Sequence, residues 1–431
     1  MQKNILICGE NLDDGGVETA IVNEAIVLKE QGNNVYVLAK EGIYSQILKE
    51  NNVEIIDMEF EFVNGFDMEK AEKIVRVIKE KAISEAHIHK FISIPACLPA
   101  MIICGIPYIV YLHEGLPISY YWVMNSYELY KDMLDMYLKN AYKIITITES
   151  VKQYNMNLFN IPEEKYIVIN NSVNIDMFKI SDYTHAPIKK FLLISRLAEE
   201  KVQSIKNGIE LFVQYNKKVK SKMRIAGGGK ALEELEQYVK RKKYKNIEFI
   251  GKTSKIAEEI YEADIVLGMG RCIVEAMASK KLCCIIGYDA LKPIIKEENI
   301  LKAQEENFSG RGLDDKSVKD LVKELNRLKI NDINNIVNSN FKHVKDKLDI
   351  RKNIYTINSQ EKINYYDIIK CLFKILDRAQ KERDKSNKES NEIWNAKVWI
   401  EEQLNNERAE KNRLLEENTL LKEKLTKKKR K

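Results

Sequence analysis

Five short stretches of this chain carry residues suited to holding a phosphorylated ligand. Gly15-Gly16-Val17-Glu18 follows a first apolar strand and opens a helix. Paired glycines let a backbone approach a ligand, and a helix start offers free N–H groups to an anion. Arg196 and Lys201 lie five residues apart just beyond another apolar strand. A forked guanidinium and a point-charge ammonium together suit a diphosphate. Gly227-Gly228-Gly229 again follows a strand, and Gly268-Met269-Gly270 leads into a segment bearing Glu275, whose carboxylate could accept both hydroxyls of a ribose. His113 directly follows the apolar run Tyr108–Leu112, a placement from which an imidazole can meet a substrate. Each has a plainer alternative. Arg196 and Lys201 could pair with Glu199 and Glu200, the glycines could serve only the turns, Glu275 could answer the helix dipole, and His113 could be structural.

The elements that must position these residues repeat one pattern. Strands are expected at Asn4–Cys8, Asn34–Leu38, Val53–Met58, His87–His89, Tyr108–Leu112 and Lys143–Thr148, with helices at Thr19–Gln31 and Lys70–Ile83. After Phe178 the pattern restarts. Strands are expected at Lys190–Ser195, Lys222–Ala226, Ile247–Ile250, Ile265–Leu267 and Leu282–Ile286, with helices at Lys206–Tyr215, Glu233–Lys240 and Ile273–Ser279. Strands alternating with amphipathic helices imply a parallel sheet covered on both faces. Two such units, meeting near Asp182–Lys189, would enclose a cleft at the carboxyl ends of their strands.

Composition narrows the function. The 431 residues carry a net charge of +6, of which 381–431, with 15 basic and 11 acidic residues, holds +4. A body left at +2 argues against a nucleic-acid surface. The seven cysteines form no CxxC pair and mostly lie in apolar runs, which reads as reduced thiols in a cytoplasmic protein; none of the five histidines is spaced with them as a zinc ligand. Asn4–Cys8 is too short for a secretory core. The apolar stretch Ile94–Leu112 contains Pro95, Pro99, Gly105 and Pro107, so it reads as a short helix, a turn and a strand rather than a membrane span. Gln380–Lys431 lacks proline and glycine. Ile393, Ile400, Leu404, Leu414, Leu421 and Leu425 fit a heptad seam there, with Asn418 inside it and Glu407 and Lys411 breaking it. A coiled coil through 393–425 and a solvated single helix both fit. The basic end 427–431 could attract anionic lipid.

In their order, these pieces resemble glycosyltransferase family 4, the retaining nucleotide-sugar enzymes of the GT-B fold, over roughly residues 3–300. The resemblance rests on Gly15-Gly16-Val17-Glu18, Ile106-Pro107 leading to His113, Val168–Asn174 with Phe178 (of Asn-Gly-Val-Asp type, with Ser172 and Asn174 for Gly and Asp), Ser195-Arg196-Leu197 with Lys201, and Glu275-Ala276-Met277-Ala278. It implies two facing Rossmann-like domains, 1–183 and 184–364, with helix 365–379 crossing back onto the first and 380–431 as a helical coiled-coil tail. It implies a UDP- or GDP-sugar donor whose diphosphate meets Arg196 and Lys201, whose ribose meets Glu275, whose base meets the backbone around Gly251–Lys252 and whose sugar meets His113. Gly15, Gly16, Gly228 and Gly270 would approach the donor. The acceptor would be a glycan or a lipid-linked glycan. No metal is expected, since no Asp-x-Asp pair is present.

Two departures stand out. The family's first glutamate, eight positions before Glu275, is Leu267 here, and Arg271 occupies an ordinarily apolar position. Arg271 would take over part of the lost donor contact, or else pair with a surface acid such as Glu297 or Glu298. Leu267 also keeps two rival expectations open: a catalytically silent homologue that works through its tail, and another chemistry on the same fold, such as epimerisation of a sugar nucleotide.

Overall fold

A computed structural model describes residues 2–13, 15–61, 67–113, 127–159, 161–288 and 290–357, with Lys381 and Asp384 beyond them. The expected crossing helix 365–379, the 393–425 seam and the basic end 427–431 lie outside the described residues. Met1–Tyr365 forms one compact unit.

Within it lie two sheets. The first contains β1 (Asn4–Asn11), β2 (Asn34–Lys40), β3 (Glu54–Asp57), β4 (Glu85–Ile88), β5 (Tyr108–Leu112), β6 (Lys143–Thr146) and β7 (Tyr166–Val168) in the order β3-β2-β1-β4-β5-β6-β7. All its pairings are parallel. The second contains β8 (Lys190–Ile194), β9 (Lys222–Ala226), β10 (Ile247–Gly251), β11 (Ile265–Gly268), β12 (Leu282–Ile286) and β13 (Leu291–Ile294) in the order β10-β9-β8-β11-β12-β13. Here the expectation of a wholly parallel sheet needs correction, because β13 runs antiparallel to β12. Only about four residues separate them, too few for a crossover helix. In each sheet the strand order reverses beside the first strand, so the crevice beyond β1/β4 and β8/β11 is where such folds bind ligands.

The local reasons are legible. Ile5, Ile7, Val35, Val37 and Ala39 alternate onto one face and bury against Ile21, Ala25 and Leu28 of the helix Gly16–Glu30. In the second sheet Phe191, Leu193, Ile225, Ile265, Leu267, Cys284 and Ile286 meet Ile205, Ile209 and Phe212 of the helix Val202–Asn216. Pro99 sits inside the short helix Ile94–Cys104, which stops at Gly105 in the left-handed conformation before β5 begins. No helix among the described residues is long and apolar enough to cross a membrane. The strand expected at His87–His89 instead spans Glu85–Ile88, because Glu85 is drawn into the sheet by partners that periodicity does not reveal. β7, β13 and the helices Val318–Leu325 and Ile330–His343 also escaped pattern reading. The two strands are short, and the helices lie in polar sequence.

The segment joining the sheets is tied to both. The backbone N–H of Asn174 donates to Asn23 Oδ1 at 2.6 Å, while Asn23 Nδ2 donates to the Thr19 carbonyl at 2.7 Å. Asn174 Oδ1 accepts from Arg351 Nη1 at 2.9 Å, and Arg351 Nη2 pairs with Glu30 and Asp176 at 2.8 Å. Ser172 Oγ accepts from Asn353 Nδ2 at 2.8 Å. The serine and asparagine that depart from the family pattern thus serve as fasteners. After Asp349 the chain runs back over the first sheet, where Ile357 packs with Ile109 and Ile145.

Replacing Asn23 by alanine strands the buried N–H of Asn174. An unsatisfied buried donor costs about 1–3 kcal/mol, so the urea midpoint of Asn23→Ala should fall accordingly. An unchanged midpoint would mean that this bond does not hold the joint.

Candidate functional site

The carboxyl ends of both sheets line one cavity of about 560 Å³. The first sheet and its helix bring Glu10, Gly15, Gly16, Glu18, Lys90 and His113; the second brings Arg196, Lys201, Gly227, Lys252, Arg271 and Glu275. Seven of the nine residues singled out from sequence therefore meet in one space. Gly228 and Gly270 are the exceptions, and their surroundings explain them. A Cβ on Gly228 would lie 2.8 Å from the Lys252 side chain, so this glycine makes room for a lysine that lines the cavity. Gly270, with φ of +71°, turns the chain into the helix Arg271–Ala278, and its N–H donates to the Phe308 carbonyl at 2.8 Å. The expectation that this N–H faces a ligand is corrected on that ground.

Backbone crowding accounts for the other glycines of the triplet. A Cβ on Gly227 would fall 1.9 Å from the Ser195 carbonyl oxygen, and one on Gly229 would fall 2.3 Å from that of Leu197. The triplet lies against the loop that carries Arg196, and positive φ at Gly227 and Gly229 permits it. At the other wall, the Glu18 carboxylate folds back over Gly15, where a Cβ would meet it at 2.0 Å, and pairs with Lys90 at 3.3 Å.

Arg196 is exposed and pairs with Glu200 at 2.9 Å, the plainer alternative weighed from sequence, although it still borders the cavity. Lys201 borders it beside Tyr288, its Nζ 6.0 Å from the ring centroid. Arg271 does not pair with Glu297 or Glu298. It is buried, and its Nε donates to Glu275 Oε1 at 3.1 Å. Burial pushes the Glu275 carboxyl up and the Arg271 guanidinium down, and each partner opposes the shift of the other. Among the described residues, Nη2 of Arg271 has no hydrogen-bond partner. Leu267, at the position where the family carries glutamate, is fully buried in the core beneath β11 with Leu193 and Ile209. Cys272 beside Glu275 is also buried, and burial pushes its thiol up to about 12, so it remains a thiol at neutral pH.

His87, His89 and Glu24 belong to no motif in the sequence, and packing makes all three part of the wall behind His113. Glu24, on the helix Gly16–Glu30, receives His87 Nδ1 at 2.6 Å and the Tyr111 hydroxyl at 2.8 Å on Oε1, and His89 Nε2 lies 2.7 Å from Oε2. His87 Nε2 meets Glu85 Oε1 at 2.8 Å, and Glu85 pairs with Lys3 at 2.9 Å. His89 Nδ1 lies 3.0 Å from His113 Nε2. Burial works against the charge of Glu24, but His89 and His87 outweigh it and hold the carboxyl well below the usual range. Burial also works against charge on His87, but Glu24 and Glu85 outweigh it and push the ring up to about 9. His113 moves the other way, well below an ordinary imidazole, through burial first and then through the neighbouring His89, Lys90 and Arg271. Only the alternation His-x-His at 87–89, which points both rings to one face of the chain, was visible beforehand.

Comparisons with known proteins bear on the fold that carries these residues. Residues 14–177 match the family model described as Glycosyltransferase Family 4, and the resemblance read from the motifs holds. No curated protein matches the sequence. Among solved structures, a glycosyltransferase from Rickettsia africae aligns with TM-score 0.57 at 19% identity, covering 81% of this chain and 95% of that one. Anabaena Alr3699/HepE, solved with UDP and glucose, aligns with TM-score 0.60 at 15% identity, covering 81% and 96%. Sucrose-phosphate synthase from Thermosynechococcus elongatus aligns with TM-score 0.58 at 13% identity, covering 81% and 96%. The fold is α/β with parallel sheets, that of the GT-B glycosyltransferases.

The buried imidazolium makes stability depend on pH. The folded value of His87, about 9, stands above the ordinary 6.5. Its contribution is complete below pH 6.5 and is lost as pH rises through 9. The thermal midpoint should therefore fall across that window while the NMR titration of His87 centres near its upper end. A His87 that titrates near 6.5 would refute the buried pair.

Proposed function

We propose that this chain transfers a glycosyl group from a nucleoside-diphosphate sugar to an acceptor hydroxyl, with retention of configuration and without a metal ion. The carrying observation is the single cavity whose one wall brings Arg196, Lys201, Lys252 and Arg271 and whose other wall brings His113 and the helix start at Gly16. A diphosphate leaving group develops negative charge as the glycosidic bond breaks, and preorganised cations and helix N–H groups stabilise it. Arg196 would leave Glu200 for the diphosphate, Lys201 would add a point charge, and Glu275 Oε2, the oxygen not engaged by Arg271 Nε, would accept from the ribose. The base would lie against Gly251–Lys252 and the sugar against His113. That a neighbour of the same fold was solved with UDP and glucose makes a UDP-sugar the first donor to try; a GDP-sugar is the second.

For the acceptor we propose a glycan or lipid-linked glycan of cell-surface polysaccharide or glycoconjugate assembly, handled by a cytoplasmic enzyme. Its tail would pair with a second copy or a partner helix through 393–425, and the basic end 427–431 would touch the inner face of the membrane.

One observation favours the silent-homologue reading. Leu267 supplies no carboxylate to the cavity, and Glu275 is already held by Arg271. Donor turnover by the purified chain, with product analysis, separates the two. Binding of UDP or GDP without any transfer or hydrolysis would favour the silent partner.

Arg196→Ala and Lys201→Ala should each weaken UDP or GDP binding by calorimetry on the order of tenfold or more, the loss of one charge-assisted contact. Unaltered affinity in both variants would remove the diphosphate site. Arg271→Lys should lower donor affinity as Arg271→Ala does, because an ammonium cannot reproduce the guanidinium fork. Full binding in Arg271→Lys would reduce Arg271 to a simple charge.

A further inference from the structure

The transfer reading uses His113 but not the buried groups behind it, and those groups determine where its proton lies. The path runs from the cavity inward: His113, His89, Glu24, His87, Glu85, and Lys3 at its outer end. His87 meets a carboxylate oxygen at each ring nitrogen, at 2.6 and 2.8 Å, so both nitrogens carry protons. His89 Nε2 stands 2.7 Å from Glu24 Oε2. Neither atom makes a hydrogen bond among the described residues, yet two lone pairs at that distance would repel, so this nitrogen also carries a proton.

Charge balance then decides the next link. The carboxylates of Glu24 and Glu85 are matched by the His87 imidazolium and the Lys3 ammonium. A second imidazolium at His89 would leave this buried group with an uncompensated positive charge, close to Arg271 and to Lys90, which is itself engaged by Glu10 and Glu18. Uncompensated buried charge is costly. His89 is therefore neutral with a bare Nδ1, and the 3.0 Å contact to His113 Nε2 requires one proton between the two rings. That proton belongs to His113.

We propose that Glu24, His87 and His89 are positioning residues that hold His113 as its neutral Nε2–H tautomer, leaving Nδ1 to accept a hydrogen bond from a hydroxyl of the bound sugar rather than to donate one to phosphate. Stacking fixes the ring planes as the hydrogen bonds fix the protons. His89 lies on Tyr111 at 4.2 Å and 8°, and His113 follows it at 5.2 Å and 24°. Tyr111 in turn donates to Glu24. The charged and titratable groups around His113 come from every side: His89 and Lys90 beyond β4, Glu24 from the helix Gly16–Glu30, and Arg271 from the second sheet's helix. The two cations among them disfavour an imidazolium. The identity of the sugar hydroxyl rests on the transfer reading, whereas the tautomer does not.

The test is nitrogen-15 NMR of the full chain labelled in histidine, without ligand, at neutral pH, with His113→Gln to assign the resonance. His113 should show a protonated Nε2 and a bare Nδ1. A protonated Nδ1, or an imidazolium, overturns the proposal. His89→Phe keeps a ring on Tyr111 but removes both nitrogens, and Glu24→Gln removes the charge while keeping an oxygen. In whichever of these folds, the His113 tautomers should mix. Turnover from a UDP-sugar at saturation should drop about tenfold, one hydrogen bond of ordinary strength, while UDP affinity stays within about twofold. A single fixed tautomer persisting in His89→Phe would show that the chain does not set it. If wild type shows the expected tautomer yet turns over no donor, the transfer reading fails and the positioning chain stands.

Discussion

Parallel strands leave all their carboxyl ends on one side of a sheet, and here two such edges share one cavity. Every chemically capable loop residue follows from that constraint. Gly15 and Gly16 come after β1, Lys90 after β4, His113 after β5, Arg196 and Lys201 after β8, Gly227 after β9, Lys252 beside β10 and Arg271 after β11. Residues far apart in the sequence become neighbours because crossovers return the strands of each sheet in the same direction and both edges line the same cavity. The joint at Asn23, Asn174 and Arg351 ties the two edges together, so its hydrogen bonds support the cavity without touching it.

Charge is arranged differently on the two walls. The second-sheet wall carries cations, some exposed and provisionally paired, as Arg196 is with Glu200, and one buried, Arg271 with Glu275. Exposed pairs exchange partners at little cost, whereas breaking a buried pair leaves an uncompensated charge. Arg196 can therefore turn to an incoming anion more readily than Glu275 can leave Arg271. The first-sheet wall presents Glu10, Glu18 and Lys90 to the cavity, paired with one another, and keeps behind His113 an alternation of carboxylate and imidazole that ends at that neutral ring. An anionic ligand would meet positive charge on the second-sheet side, and on the other a neutral hydrogen-bonding ring beside carboxylates already paired with Lys90.

Glycine shows how sequence motifs and packing diverge. The triplet Gly227–Gly229 reads as a ligand cradle, yet its closest neighbours are the carbonyl oxygens of Ser195 and Leu197 and the side chain of Lys252. The glycines let two loops of the same edge lie against each other, and so shape the site through the backbone that carries Arg196. Gly270 similarly makes a turn that positions Arg271, with its own N–H committed to Phe308.

The alternation of apolar strands with amphipathic helices, the restart after Phe178, the strand-end positions of Arg196, Lys201 and His113 and the helix bearing Glu275 were all readable in the sequence, because burial periodicity and strand-end position are local properties. The partners of buried polar groups were not. Glu85 and His87 sit in a strand that no hydrophobic pattern announces, and they are stable there only because Glu24, sixty residues earlier, and Lys3, at the chain's start, supply opposite charge. Leu267 could be seen to lack a carboxylate, but not to fill the core under β11, and Arg271 could be placed in the loop but not paired with Glu275. The sequence by itself determined which elements form and which edge carries the chemistry. Only the tertiary structure decided which charges are buried together, because the cost of burying a charge depends on neighbours that folding brings from distant parts of the chain.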